Sequence, residues 1–228
     1  DAAWESVGVF LRDIEDRFST FLATSEISRI NNGELHMLDA SPDVVEVLDA
    51  CTWLEHLSNG VFNARRPDGS IDPAGFVKGW AADKCADIAQ EHGAQHVQVN
   101  CAGDLALRGG FNDAGVIKPW SIGISNPDNT AEVVHVVSVF DGAIATSGTY
   151  ERGAHIFDPA TGTIAIGAKS ATVLGPDGGL TDALATALMV AGEDGAVWFS
   201  QPELAEYSSW VIDRHSGGAW GVGPAVTN

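Results

Sequence analysis

The chain has 228 residues, 45% hydrophobic and 19% charged, enough apolar material for a packed core and too much for a disordered chain. Its 31 acidic against 12 basic residues give a formal charge of −19, a field that repels nucleic-acid backbones and anionic lipid, so neither is an expected partner. No apolar run approaches the ~20 residues of a membrane span.

Residues 4–23 carry Val7, Phe10, Leu11, Ile14, Phe18 and Phe21 at three- and four-residue steps, which predicts an amphipathic helix. A second helix is bounded by Ser41 as N-cap, Pro42 at its first position and Asn59-Gly60 at its end. Its buried stripe is Val44, Val47 or Val45, Leu48, Cys51 and Leu54. A third helix is expected from Val77 to Glu91, with Gly93 beyond its end. After Gly93 the apolar period changes from 3.6 to 2, predicting strands at 96–100, 120–124 and 134–139. Shorter strands are expected at 143–145, 155–157 and 171–174. A helix from Thr181 to Ala191, a shorter one near 195–200 and a last strand at 209–213 follow. Helices first, then mostly antiparallel strands with one late helix, indicate an α+β fold in one compact unit over residues 1–228.

The chain opens Asp1-Ala2-Ala3-Trp4 without an initiator Met and reads as trimmed or processed. Cys51, Cys85 and Cys101 lack CxxC spacing and read as free thiols, the first two on apolar helix stripes. That usage favours a reducing, cytoplasmic compartment, with export or anchoring open if a targeting segment was removed.

No G-x-G-x-x-G and no Walker A sequence is present, so the nicotinamide and P-loop readings lack their key signal. The most informative segment is Leu180-Thr181-Asp182-Ala183-Leu184-Ala185-Thr186-Ala187. With Thr181 as cap, Asp182 and Thr186 share one helix face, a seat for a hard divalent cation that also holds phosphate oxygens. The plain alternative is that Asp182 meets the helix dipole in a first turn. Asp72-Pro73-Ala74-Gly75-Phe76-Val77-Lys78-Gly79 places small residues and a lysine where a loop enters a helix, for a phosphate or as an ordinary loop with a solvated lysine. His155 is either a general base or a strand-end histidine. His92 and His96 are four apart, but Gly93 ends the helix between them, which argues against zinc.

The order of these segments resembles the ApbE family of FAD:protein FMN transferases. The resemblance rests on 17–31 (with Ser25-Glu26-Ile27-Ser28-Arg29-Ile30-Asn31), 72–83, Val99-Asn100-Cys101-Ala102-Gly103-Asp104, 145–162 and 181–188. It implies that Ser28, Asn31, Lys78, Gly79, Gly103, Asp104, Ser147, Gly148 and Thr149 border bound FAD. It also implies that Asp182, Thr186 and a backbone carbonyl near Ala74 or Gly75 hold Mg²⁺, and that His155 is the functional histidine of H-I-x-D-P-x-T-G. The implied reaction moves FMN from FAD, the substrate, to a Thr or Ser hydroxyl of an acceptor flavoprotein, releasing AMP. Binding of FAD without transfer, and Mg²⁺-dependent hydrolysis of FAD to FMN and AMP, use the same pocket. Departures from the family pattern are Ala102 for the first glycine of G-G-D, Cys101 beside it, and a short 61–71 segment where a strand region is expected.

Overall fold

The computed structural model describes residues 2–148 and 156–225, and it opens with helices where apolar residues recur at helical steps. Helix α1 (Ala2–Phe18) packs Phe10 and Phe18 on Trp80, with ring centroids 5.9 and 5.6 Å apart. The helix expected over 4–23 stops at Phe18 because the Ser19 hydroxyl accepts the N–H groups of Phe21 and Leu22 and turns the chain. Phe21 is consequently exposed instead of lying on the buried stripe. Helix α2 (Glu26–Asn31) is capped by Ser25, whose hydroxyl accepts from Ser28 N at 3.0 Å. Helix α3 (Pro42–Leu57) begins and ends as its Ser-Pro and Asn-Gly signals require and buries Val44, Val47, Leu48, Cys51 and Leu54. Val45 stays exposed.

Helix α4 (Ala74–Glu91) starts three residues before the expected Val77, so Gly75 belongs to the helix and not to a loop. A hairpin of β1 (Val97–Cys101) and β2 (Asp104–Arg108) follows, turning at Ala102-Gly103. Next come β3 (Phe111–Asp113) with β4 (Val116–Lys118), then a long ribbon of β5 (Trp120–Asn126) and β6 (Asn129–Val139). Strands β7 (Gly142–Gly148) and β8 (Ala168–Gly175) lead to helix α5 (Gly178–Ala191), and β9 (Ser208–Asp213) and β10 (Ala219–Val222) complete the chain.

Six strands form one sheet in the order β1-β2-β7-β8-β9-β10, and every neighbouring pair is antiparallel. The α+β expectation therefore holds, while β2, β3, β4 and β10 were not anticipated. Of the strand expected at 155–157, His155 lies outside the described residues, Ile156 is in no strand and Phe157 makes an isolated bridge to Ile164. The short helix expected at 195–200 is a 3-10 segment over Gly192–Ser200. In place of the reduced strand region at 61–71, Arg65 and Ile71 bridge a tight hairpin.

Helices α4 and α5 cover one sheet face through a core that includes Trp80, Val173, Leu184, Leu188 and Val211. The β5–β6 ribbon covers the other, setting Ile124 and Val137 on Leu107, Ile144 and Leu174. Glycines bring α4 and α5 together: a Cβ at Gly79 would stand 1.9 Å from the Gly178 carbonyl oxygen, and one at Gly178 would stand 2.3 Å from that of Gly79. Any side chain there would push the helices apart. Helix α5 accordingly begins at Gly178 and not at Thr181, with Asp177 as N-cap accepting from Leu180 N at 2.7 Å. Cys51 and Cys85 are free and buried, and burial pushes both thiols up to about 12.

Candidate functional site

A cavity of about 600 Å³ opens where α4, α5 and the ends of β2 and β7 meet. Its size lies within the range of small-molecule sites. Gly75 and Lys78 reach it from one face of α4, three residues apart, and Asp182 and Thr186 from one face of α5, four apart. Asp104 enters as the first residue of β2, directly after the Ala102-Gly103 turn. Thr146, Ser147 and Gly148 line it from β7. The 61–67 segment, with Asp72, and residues 156–159, with Gly162, form the rim.

Lys78 stands between two buried carboxylates. Its Nζ donates to Asp182 Oδ1 at 2.9 Å and Oδ2 at 3.0 Å, and to Asp104 Oδ2. The two aspartate side chains are 4% and 2% exposed for Asp104 and Asp182, and that of Lys78 is 33% exposed. Burial pulls the Lys78 ammonium down, but Asp182 and Asp104 outweigh it and hold the group above its ordinary value. Asp182 moves the other way for a carboxylate: burial and then Asp104 push it up, only partly offset by Lys78 and the Gly79 N–H. Both shifts have one origin, two buried carboxylates facing one ammonium. Among the described residues the cluster sets two buried carboxylates against one ammonium, an environment that suits a second cation.

The remaining donors suit a hard cation. Thr186 Oγ1 lies 3.3 Å from Ser147 Oγ, and a Cβ at Gly75 would stand only 3.7 Å from that Thr186 oxygen, so the α4 backbone passes close to it. Among the described residues no three His, Cys, Asp or Glu side chains cluster as metal ligands. A cation here would therefore draw on hydroxyl and carbonyl oxygens beside carboxylate, the preference of Mg²⁺ over zinc. Asp182 sits in the second turn of α5, which removes a first-turn dipole preference as the reason for its position.

The structure thus brings together Gly75, Lys78, Asp104, Ser147, Gly148, Asp182 and Thr186. It does not bring Ser28, Asn31, Gly79 or Gly103 to the cavity lining. Ser28 donates its hydroxyl to the Ser19 carbonyl and braces the turn after α1. The Asn31 amide is used at both ends, donating to Ile71 O at 2.9 Å and accepting from Ile71 N at 2.7 Å, so it pins the 65–71 hairpin. Gly79 is consumed by the helix crossing, and Gly103 supplies the left-handed turn into β2, with φ 103°. Thr149 and His155 lie outside the described residues.

Arg65 and Arg66 line the cavity without having been anticipated, and Thr146 and Asp158 of the 145–162 segment line it with them. Arg66 pairs with Asp72, and its backbone N–H donates to Ser70 O at 2.8 Å, which shapes the rim hairpin. The available signal was an Arg-Arg pair in a chain with only 12 cations. Among the described residues no helix is long and apolar enough to cross a membrane.

The ApbE family model matches residues 5–65 and 63–207. A protein of Vibrio cholerae named FAD:protein FMN transferase is 37% identical over 174 residues, covering 68% of this chain and 51% of that protein. One of the same name from Haemophilus influenzae is 26% identical over 272 aligned positions, covering 91% of this chain and 76% of its own length. Among solved structures, the flavin transferase ApbE from Vibrio cholerae superposes with a TM-score of 0.81 at 25% identity, over 97% of this chain and 87% of that one. The Thermotoga maritima ApbE protein shares the fold with a TM-score of 0.81 at 22% identity, over 96% of this chain and 88% of its own. The chain matches only about half the length of the Vibrio cholerae relative.

Proposed function

Because this chain belongs to the ApbE family, we propose that it transfers the FMN half of FAD to a Thr or Ser hydroxyl of an acceptor protein and releases AMP. The observation that carries this reading is the convergence of Lys78, Asp104, Asp182, Thr186 and Ser147 on a cavity of about 600 Å³. A pyrophosphate is repelled by a chain of charge −19, so its site must concentrate cationic and hydrogen-bonding groups. Arg65 reaches this cavity beside Lys78 and Arg66, which are paired with carboxylates, so a divalent cation on Asp182 and Thr186 would supply further positive charge. The apolar walls of Phe62, Ile156 and Phe157 suit flat rings.

In the proposed step the acceptor hydroxyl oxygen bonds to the FMN-side phosphorus, and the bond from that phosphorus to the bridging oxygen breaks. AMP leaves with the bridging oxygen and its electron pair, and the hydroxyl proton goes to His155, a role that rests on the H-I-x-D-P motif. Asp182, Thr186 and the backbone near Gly75 would hold Mg²⁺. When bound, it supplies Lewis-acid polarisation of a phosphoryl oxygen and offsets charge on the departing phosphate. Lys78 holds the two carboxylates in place and keeps a positive charge at the cavity wall. The Ser147 and Thr186 hydroxyls orient the phosphate oxygens.

The test incubates the protein with FAD and Mg²⁺, with and without an acceptor protein carrying a flavinylation site. Fluorescence of the denatured acceptor, with stoichiometric AMP, is the expected result. Free FMN and AMP without covalent flavin would make the protein a hydrolase, and unchanged FAD would make it a binder.

A further inference from the structure

The three elements that carry Lys78, Asp104 and Asp182 also carry a second polar cluster, whose members do not line the cavity. Asp83 lies on α4 five residues after Lys78, Arg108 closes β2 four residues after Asp104, and Gly178 opens α5 four residues before Asp182. Asp83 Oδ2 accepts the Gly178 N–H, and Arg108 Nη2 donates to Asp83 Oδ1 at 3.0 Å. The same guanidinium donates to Asp87 Oδ1 at 3.0 Å and reaches Gly142 O on β7 at 3.4 Å. Asp83 and Arg108 are each only 14% exposed.

At the α4–α5 crossing the Gly79 and Gly178 backbones meet directly, with the Phe76 ring seated on Gly179 beside them. Directional bonds add to such a contact, and a guanidinium whose Nη2 bridges Asp83 and Asp87 while Nη1 reaches Gly142 O is a rigid cation for the purpose. One helical turn, ~6 Å, separates Gly178 from Asp182. A slip at the clamp would therefore move the Asp182 carboxylate relative to Lys78 and Asp104 almost undiminished.

We infer that Asp83 and Arg108 are positioning residues: they lock α4, β2 and the start of α5 in the register that brings Lys78, Asp104 and Asp182 together, and so set the cation affinity of the cavity. The inference rests on the proposed function for the identity of that cation. Removing an outer-shell partner of a metal ligand typically costs roughly 10–100-fold in metal affinity or activity.

The test titrates Mg²⁺ alone into the wild-type chain and into Arg108→Gln, Asp83→Asn, Arg108→Lys and Asp87→Asn by calorimetry. FMN transfer, KM for FAD and melting are followed on the same preparations. Arg108→Gln and Asp83→Asn should weaken Mg²⁺ binding by roughly 10–100-fold and lower kcat by a similar factor. KM for FAD should stay within about threefold, since neither residue touches the cavity. Arg108→Lys should recover part of both losses. Asp87→Asn should have a smaller effect than Arg108→Gln or Asp83→Asn, because it removes only the exposed acceptor of Arg108 and leaves the Asp83 bonds to Arg108 and Gly178 in place. Unchanged Mg²⁺ affinity in the first two variants, or a wild-type chain without Mg²⁺ affinity, overturns the inference, as does failure of Arg108→Gln, Asp83→Asn and Arg108→Lys alike to fold. If wild type transfers no FMN but Mg²⁺ affinity still falls in those variants, the clamp stands and the transferase reading fails.

Discussion

Two clusters lie along α4, each with one cation between two carboxylates among the described residues, and they differ in how deeply those carboxylates are buried. In the cavity cluster both carboxylates are buried and the lysine is the more exposed partner. In the outer cluster Arg108 and Asp83 are partly buried, each 14% exposed, while the second carboxylate, Asp87, is 54% exposed. That outer carboxylate is therefore solvated and inert, and the geometry is held by the fork of the guanidinium. The inner carboxylates are kept from water and bridged by a flexible point charge that can shift when a ligand arrives. One cation between two carboxylates yields a brace in one place and a cation-hungry site in the other, and burial makes the difference.

The largest expected effect breaks the inner cluster at Asp182. Asp182→Asn keeps the shape, removes one of the two buried carboxylates and leaves Lys78 paired with Asp104. Transfer should fall by roughly 10³-fold, the equivalent of several kcal/mol of lost electrostatic stabilisation. Melting at pH 8 should not fall, because the carboxylate lost is one that burial disfavours as an anion. Single-turnover flavinylation and a thermal melt decide this, and near-wild-type transfer at saturating Mg²⁺ would remove Asp182 from the site.

Lys78→Met should rank second, and its main readout is stability. It leaves Asp104 and Asp182 buried together without their cation, a change that costs roughly 3–5 kcal/mol when a buried pair is broken. Added Mg²⁺ should restore part of the melting temperature in this variant by mass action. No cation-dependent recovery would show that the two clusters are both mere braces.

The contrast between the clusters explains what the sequence could show. The apolar stripe of α3 was legible but for the choice between Val45 and Val47, since Val44, Leu48, Cys51 and Leu54 need only periodicity. The pairing of Asp182 with Thr186 was legible for the same reason. The start of α5 was misplaced because Gly178 and Gly179 look like breakers, and Thr181 looks like a cap. In the fold, a Cβ at Gly178 would strike Gly79 and one at Gly179 would stand 2.4 Å from the Phe76 ring, so these are contact residues of a helix. Strand β2 was hidden by the glycines around it, although it is interior to the sheet. Arg65, Arg108 and Asp83 stayed invisible as partners because their geometry is tertiary, and a single sequence carries no sign of who faces whom.

Thiols offer a smaller effect that sharpens the comparison. Cys85 lies on α4 between Asp83 and Asp87, and burial lifts its pKa from 9.0 to about 12. Because the folded value is raised, the stability from keeping this thiol protonated is complete below pH ~9 and is lost as pH rises toward 12. At pH 8 iodoacetamide should label Cys85 only through opening of the fold. Mass spectrometry should show faster labelling of Cys85 in Arg108→Gln, while Cys51, buried in α3, stays as protected as in wild type. Equal protection of Cys85 in both proteins would mean that the outer brace does not hold α4 locally.

The smallest predicted change concerns the turn that delivers Asp104 to the inner cluster. Ala102 adopts φ 52° and Gly103 φ 103°, both left-handed, and Gly103 N donates to Asn100 Oδ1 at 2.9 Å to close the turn. An L-residue in that region costs roughly 1–2 kcal/mol, whereas glycine adopts it freely. Ala102→Gly relieves this strain but gives the unfolded chain more freedom, which returns about 0.4–1 kcal/mol. The net gain should be on the order of half to one kcal/mol, and for a chain of this length roughly 1–4 °C in melting temperature. Since Ala102 lines the cavity with only a methyl group, KM for FAD should change little. The outer brace is untouched by this substitution, so Mg²⁺ affinity should also hold. A drop in melting temperature would show that Ala102 is supported by contacts stronger than its backbone strain. A marked fall in FAD affinity at unchanged stability would instead assign the methyl group a place against the ligand.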